Sequence, residues 1–351
     1  MQLTTQQLAT QQFANGLTDQ HEQVFASQPD NPDMRESSSL WLFDDSGRFA
    51  FPRIGIEAEA HSWDNRMYTA NFGLGGGRIL REVGRGAAPS PFDHKSEPTI
   101  LGAGPVSFQC LEPFRRWRVR YDGEAVDCTT QQQIEGTVDD SRRVAVSFDV
   151  ELSMAAPAWV QDNSPDKVAE MSKAEAEEAT SMGIGWRLEQ VCRGAGTFTV
   201  DGKSRDFTAV GSRIKRQSIR PLVFFRGHCW QSALFPDGSA FGYIAYPPSK
   251  DGPEPYNEGY IYKDGVMHSA RVSKAPWLRQ LIEEGDDVSL ELESALGTTR
   301  ISGRTAFSSC HILETENGGF NLQQSGALYQ WGDQKAYGMI ERSATDEQMG
   351  G

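Results

Sequence analysis

Two carboxylates, an imidazole and an indole fall at alternate positions in one short run: Glu57, Glu59, His61 and Trp63. On a β-strand, successive side chains point to opposite faces, so these four are expected to share one face. If that face lines a cavity, it can do acid–base work. A carboxyl raised in pKa by apolar surroundings donates a proton, and His61 orients water or takes the proton back. On this reading Glu59, His61 and Glu57 are catalytic, and Trp63 with the adjacent Asp64 binds substrate. The competing reading is a solvated outer face. A second candidate is Gly227-His228-Cys229-Trp230, with His228 and Trp230 as substrate contacts; a His beside a Trp also serves as a structural hydrogen-bonding group. The third is the cluster of Tyr256, Glu258, Tyr260 and Tyr262. Tyr256 and Tyr262 either contact substrate or pack across strands.

Other chemistries lack their residues. There is no GxxxxGK[ST] loop, and Gly73-Leu74-Gly75-Gly76-Gly77 has neither the strand-to-helix context nor the downstream acid of a dinucleotide fold. No GxSxG elbow, HExxH, HxH or Cys/His cluster occurs, and the six histidines are scattered, so neither a metal nor a cofactor is expected. A net charge of −14 argues against a nucleic-acid partner. The five cysteines are odd in number and never spaced CxxC, which points to free thiols in a reducing, cytoplasmic setting. The start is rich in Gln and Thr with no apolar leader, and no apolar run is long enough for a membrane helix.

The elements that must position these residues read as strands. Residues 1–37 form a polar arm, with a short helix possible over 4–14. From residue 38 the pattern has period two, most clearly where Ile54, Ile56, Ala58 and Ala60 alternate with polar neighbours. Asp122-Gly123, Asp201-Gly202 and Asp264-Gly265 read as hairpin turns. The clearest helix lies between two halves. Ser164 can cap it, Pro165 suits its first position, and Gly183 can stop it. The halves also echo each other. Trp41 and Trp230 each lead an apolar strand into an Asp/Gly turn. The expected organisation is an arm over 1–37, a barrel over 38–154, a linker with a helix over 155–185 and a second barrel over 186–345. The fold class is all-β.

Residues 112–123 (EPFRRWRVRYDG), 188–191 and 196–202 resemble tandem lipocalin-like proteins of the AttH-like group, which includes the bacterial carotenoid 1,2-hydratases (hydroxyneurosporene synthases). The resemblance covers about residues 38–343. It implies two lipocalin-like barrels side by side, with an apolar ligand in a barrel or between them. It also implies hydration or cyclisation of terpenoid or polyketide substrates without a redox cofactor. Relatives carry a run like Arg-Asp-His-Ser-Trp-Gly where this chain reads Arg213-Ile214-Lys215-Arg216-Gln217-Ser218, so only Arg213 carries over as a substrate contact.

Two functions follow as expectations. One is a cofactor-independent hydratase, isomerase or cyclase acting on a hydrophobic terpenoid, steroid-like or aromatic substrate. Its raised-pKa carboxyl protonates an alkene, and Trp and Tyr faces stabilise the cation. The other is a non-catalytic lipocalin-type carrier of the same kind of molecule.

Overall fold

Ile54, Ile56 and Ala58 are fully buried, whereas Glu57 and Glu59 on the other face are not. The same alternation recurs along most of the chain and produces an almost entirely β protein. The computed structural model describes residues 12–171, 173–219, 227–248, 256–315 and 318–350. Most of the helix expected over 4–14 lies outside these residues.

Eleven strands form the first unit: β1 (Met34–Asp44), β2 (Ala50–Glu59), β3 (Asn65–Gly73), β4 (Arg78–Ala87), β5 (Ile100–Ala103), β6 (Val106–Glu112), β7 (Arg116–Thr129), β8 (Arg143–Met154), β9 (Trp159–Asn163), β10 (Ile184–Val200) and β11 (Lys203–Ile219). The order is β4-β3-β2-β1-β11-β10-β8-β7-β6-β5, with β9 on β10. Because β4 also pairs with β7, at Arg78–Arg81 against Val126–Thr129, the sheet curls back on itself. The second unit is a closed eight-stranded barrel of β12 (His228–Leu234), β13 (Ala240–Ala245), β14 (Asn257–Lys263), β15 (Val266–Lys274), β16 (Leu290–Ser294), β17 (Gly297–Thr315), β18 (Gly318–Trp331) and β19 (Gln334–Thr345).

Two sequence expectations need correction here. The boundary does not fall at 155–185, and the second barrel does not begin at residue 186. Strands β10 and β11 belong to the first unit: β10 pairs with β8 through Cys192–Val200, and β11 pairs with β1 through Ala209–Ile219. Cys192, Phe198, Phe207 and Ala209 face the first core, which fixes that placement. The helices Pro165–Ala169 and Lys173–Met182 are an excursion between β9 and β10, not a joint between units. Nor is Asp122-Gly123 a hairpin. The alternation of buried Tyr121 and Ala125 carries β7 straight through it, and Gly123 lets Pro105 approach closely. The other two Asp-Gly pairs do turn, with positive φ at both residues, as a two-residue hairpin requires.

Aromatic side chains fill the first lumen. Phe51 lies 4.9 Å from Phe148 and 5.0 Å from Phe198, and Phe72 lies 5.2 Å from Tyr121 (centroid distances). Phe241 and Tyr329 do the same in the second barrel, 5.3 Å apart. One end of the first barrel receives the N-terminal segment. Glu22, fully buried, bonds Arg213 Nη2 at 2.8 and 3.0 Å and accepts the Trp117 Nε1–H. The described part of the arm therefore inserts a charge into the barrel as well as lying on it. Between the units, Trp41 and Trp230, the two residues of the sequence echo, meet edge to face at 4.8 Å.

Candidate active site

The chemistry collects at the seam between the barrels, and backbone irregularities aim it there. β1 and β2 slip register between Leu40 and Leu42, and β2 and β3 slip between Ala50 and Ile54. Such bulges redirect side chains, and Pro52, which cannot donate to a ladder, sits in this one. Arg53 adopts φ +80°, a left-handed conformation that costs a non-glycine residue on the order of 1–3 kcal/mol. Its guanidinium leaves the first barrel to reach Glu57 at 2.9 Å and Glu341 of β19 at 3.4 Å, 5.8 Å above the Trp41 ring.

His228 begins β12 and pairs with Ser343 of β19. The preceding Gly227 has φ +103°, and a Cβ there would stand 2.3 Å from the Ser343 carbonyl oxygen, so only glycine fits. The imidazole is held on both sides. Nε2 lies 3.1 Å from Glu341 Oε1, and Nδ1 lies 2.6 Å from Ser343 Oγ. Ser343 Oγ also accepts the His228 backbone N–H at 3.1 Å, which leaves its own hydroxyl proton for Nδ1. The network thus assigns the neutral ring an Nε2–H donated to Glu341. When the ring is protonated, the Nδ1–H turns toward Ser343 instead. Burial alone would raise Glu341, but Arg53, His228 and the Gln324 amide outweigh it and hold the carboxyl at about 2.

Arg187 and Trp230 form the opposite wall. The Arg187 guanidinium sits 4.6 Å over the Trp230 ring, and both bond Glu189, at 3.3 and 2.8 Å. Burial pushes the Glu189 carboxyl up, against Arg187 and the Trp230 N–H. Behind them, Gln161 links Arg187 to Tyr256, whose hydroxyl donates to Glu258 at 2.6 Å.

These residues border a partly open cavity of about 80 Å³ lined by Ser37, Ser39, Trp41, Arg53, Glu57, Arg187, Ile214, Arg216, His228, Trp230, Ile244, Tyr246 and Glu341. That holds several waters or the polar end of a ligand. It is well below the roughly 300–1,000 Å³ of a pocket enclosing a whole drug-sized molecule. Two larger grooves on the second barrel, of about 340 and 420 Å³, share Ser289, Ser302 and Gln330 and contain no imidazole or thiol. The imidazole, with two carboxylates beside it, lies in the smaller cavity. A polar chain leads away from it across the seam, from Glu341 through Gln324 (2.7 Å), Asn71 (3.0 Å) and Ser309 (3.3 Å) to His311 (3.5 Å). Burial, with Arg81 and Arg53, pushes His311 down to about 3.

Of the sequence candidates, Glu57, His228 and Trp230 are brought together at this cavity. Glu57, Glu59, His61 and Trp63 do not share a face, because β2 ends at Glu59 and a 3-10 turn, Ala60–Ser62, follows. Glu59 pairs with Arg35 and Arg85 away from the cavity lining. His61 is 60% exposed, Asp64 is exposed, and Trp63 packs in the first core with Arg66 4.2 Å from its ring. Tyr256 stands behind Arg187, and Tyr262 packs against the inter-barrel cluster. Arg213 points into the first barrel, opposite to Ile214 and Arg216. Arg53, Arg187, Glu341 and Ser343 were not singled out from the sequence. The one local signal was Pro52, a proline inside an alternating strand.

Among the described residues no group of three or more His, Cys, Asp or Glu is placed to hold a metal ion, and no helix is long and apolar enough to cross a membrane. Comparison with solved structures shows the fold. An AttH-type protein of Nitrosomonas europaea is 14% identical with a TM-score of 0.55, covering 92% of this chain and 98% of that one. CghA in complex with Sch210972 is 11% identical with a TM-score of 0.53, covering 90% and 89%. Kievitone hydratase of Nectria haematococca is 10% identical with a TM-score of 0.43, covering 94% and 95%. No curated protein matches the sequence. The fold is that of the AttH-like, lipocalin-like proteins. The model of one family matches residues 18–345, nearly the whole chain, and the protein belongs to that family, a domain of unknown function (DUF7064).

Proposed function

We propose that the protein is an enzyme of the hydratase, isomerase or cyclase type, acting by acid–base catalysis on a hydrophobic small molecule at the seam between its barrels. The observation that supports this best is His228, an imidazole held between Glu341 and Ser343 in the wall of the seam cavity. An imidazole can take and return one proton within a cycle. Glu341 keeps the ring oriented and balances its charge. This departs from a mechanism driven by a carboxyl of raised pKa, because the Glu341 carboxyl goes the other way. Trp41 and Trp230 give the apolar body of a terpenoid, steroid-like or aromatic substrate its contact surface. The cavity takes the reacting end. A reaction of this kind runs on side chains alone.

Purified protein and a His228→Gln variant are incubated with hydroxylated and unsaturated terpenoid, steroid and aromatic compounds in oxygen-18 and deuterated water. Mass spectrometry then reads isotope incorporation. The expected result is a converted compound whose rate falls by about 10²- to 10⁴-fold in the variant while its affinity holds. A variant of full rate overturns the His228 assignment. Tight binding of such compounds with no isotope incorporated into any of them leaves the carrier function.

A further inference from the structure

We infer that Asn71 is the positioning residue of the His228–Glu341 pair: its one amide fixes both the bulge that carries Arg53 and the direction of the Gln324 amide. The catalytic meaning of the pair rests on the proposed function, while the hydrogen bonding stands without it. Asn71 lies on β3, fully buried, and does not line the cavity. It faces the irregular part of β2. Ala50 pairs with Gly73 and Ile54 with Ala70, so Phe51, Pro52 and Arg53 stand against only Asn71 and Phe72. A bulge of this kind breaks the ladder locally. The Asn71 side-chain NH2 supplies a donor there, bonding the Pro52 carbonyl oxygen from Nδ2 at 3.0 Å. That carbonyl belongs to the peptide leading into Arg53, whose φ of +80° sends the guanidinium to Glu341.

The same nitrogen donates to Gln324 Oε1 at 3.0 Å. The directions of these bonds are forced. An ionised carboxylate only accepts, so the Gln324 atom 2.7 Å from Glu341 Oε2 is its NH2. The Gln324 oxygen then faces Asn71, which must donate to it, and the Pro52 carbonyl demands a donor as well. One NH2 with two hydrogens meets both demands. Asn71 Oδ1 accepts the Ser309 hydroxyl at 3.3 Å, and Gln133 Nε2 donates to that hydroxyl oxygen at 3.3 Å, so the chain contains no conflict. Two of the three groups that keep Glu341 ionised, Arg53 and the Gln324 amide, therefore trace back to one side chain. The third is His228, the ring that Glu341 orients. A buried polar network of this kind holds one geometry when every member is paired and fails when one is not.

The test reads the Glu341 carboxyl by ¹³C NMR in protein labelled at glutamate Cδ, the signal assigned by its loss in Glu341→Gln. In the wild type the carboxyl, held at about 2, should stay ionised through the range from neutral pH to mild acid. Asn71→Leu keeps the volume and removes the donors, so the midpoint should rise by about one unit or more, a tenfold change in proton affinity. Asn71→Ser keeps one donor and should give a smaller rise; it also serves if Asn71→Leu does not fold. Arg53, Glu57, His228 and His311 are the charged or titratable side chains around the network, and none of these variants replaces them. Phe72→Leu loosens the same strand next to the bulge but touches only the aromatic lumen, and should leave the Glu341 signal where it is. A midpoint that neither Asn71 variant moves, or that Phe72→Leu moves as far, overturns the inference. No substrate enters this measurement. His228→Gln at full rate in the isotope assay would remove the catalytic reading and leave the positioning of Glu341 to be decided by the titration.

Discussion

Replacing Glu341 with Gln changes one charge and almost no volume, so its effect isolates what the carboxylate does. Burial disfavours its charge, and three groups, Arg53, His228 and Gln324, favour it. Their balance lowers the carboxyl from 4.5 to about 2. At 1.36 kcal/mol per pKa unit, the ionised group contributes about 3 kcal/mol of stability at neutral pH. Because the folded-state pKa is depressed, this contribution is complete above the unfolded value near 4.5. It is lost as pH falls through the folded value near 2. At pH 3 about 1.4 kcal/mol remains. Removing one partner of a buried pair costs 3–5 kcal/mol in general. The lower end applies here because Arg53 keeps Glu57 at 2.9 Å. Urea unfolding of wild type and Glu341→Gln at pH 7 and pH 3, followed by circular dichroism and tryptophan fluorescence together, measures the gap. Two probes are needed because two barrels need not unfold in one step. The expected gap is about 3 kcal/mol at pH 7 and about half that at pH 3. A gap under about 1 kcal/mol at pH 7, or one independent of pH, would refute the claim that Arg53 and His228 hold Glu341 ionised.

His311 should shape the acid limb of stability. Its buried imidazole is neutral in the fold, with a pKa pushed down to about 3, so stability is complete above about 6.5 and falls as pH drops toward 3. The loss is about 2 kcal/mol at pH 5. His311→Gln should flatten that limb in denaturant titrations, and an unchanged slope would show that His311 titrates normally. Glu22→Ala should cost about 3–5 kcal/mol, because it strands Arg213 and the Trp117 N–H inside the first barrel. Added acetate should restore part of the loss by occupying the vacated carboxylate position. A cost below about 1 kcal/mol would mean that the N-terminal segment does not anchor the barrel end.

Much of the fold was legible because strand physics is local. The alternation at Ile54, Ile56 and Ala58 needed only a run of neighbours, and Asp201-Gly202 and Asp264-Gly265 specify turns by their own torsional preferences. Where local signals conflict, the wider pattern wins. Asp122-Gly123 has a turn composition, yet β7 continues because Tyr121 and Ala125 on either side are buried in the same core. The unit boundary failed for a related reason. A polar helix reads as a linker, but whether β10 and β11 pair backward with β8 and β1 or forward with the second barrel is a question of long-range partners.

The site was legible only in part, because no single strand contains it. Arg53 and Glu341 are 288 positions apart and meet only when two barrels pack. The run from Glu57 to Trp63 drew attention because its chemistry was dense in sequence, and the fold scattered it at a three-residue turn. His228 and Trp230 survived because both sit on one seven-residue strand, two positions apart and so on one face. The deeper point lies in the two faces of β2. One face is the apolar core, and the other looked like a choice between solvent and a lumen. The lumen is packed with phenylalanines. Part of the polar face of β2 turns instead to the second barrel, where Arg53 bridges Glu57 and Glu341. When two barrels fill their own interiors, the surface they share is the place where charge can be buried, paired and aimed at a ligand. The bulge at Arg53 is what that arrangement requires, since a regular strand would not carry that guanidinium across the gap.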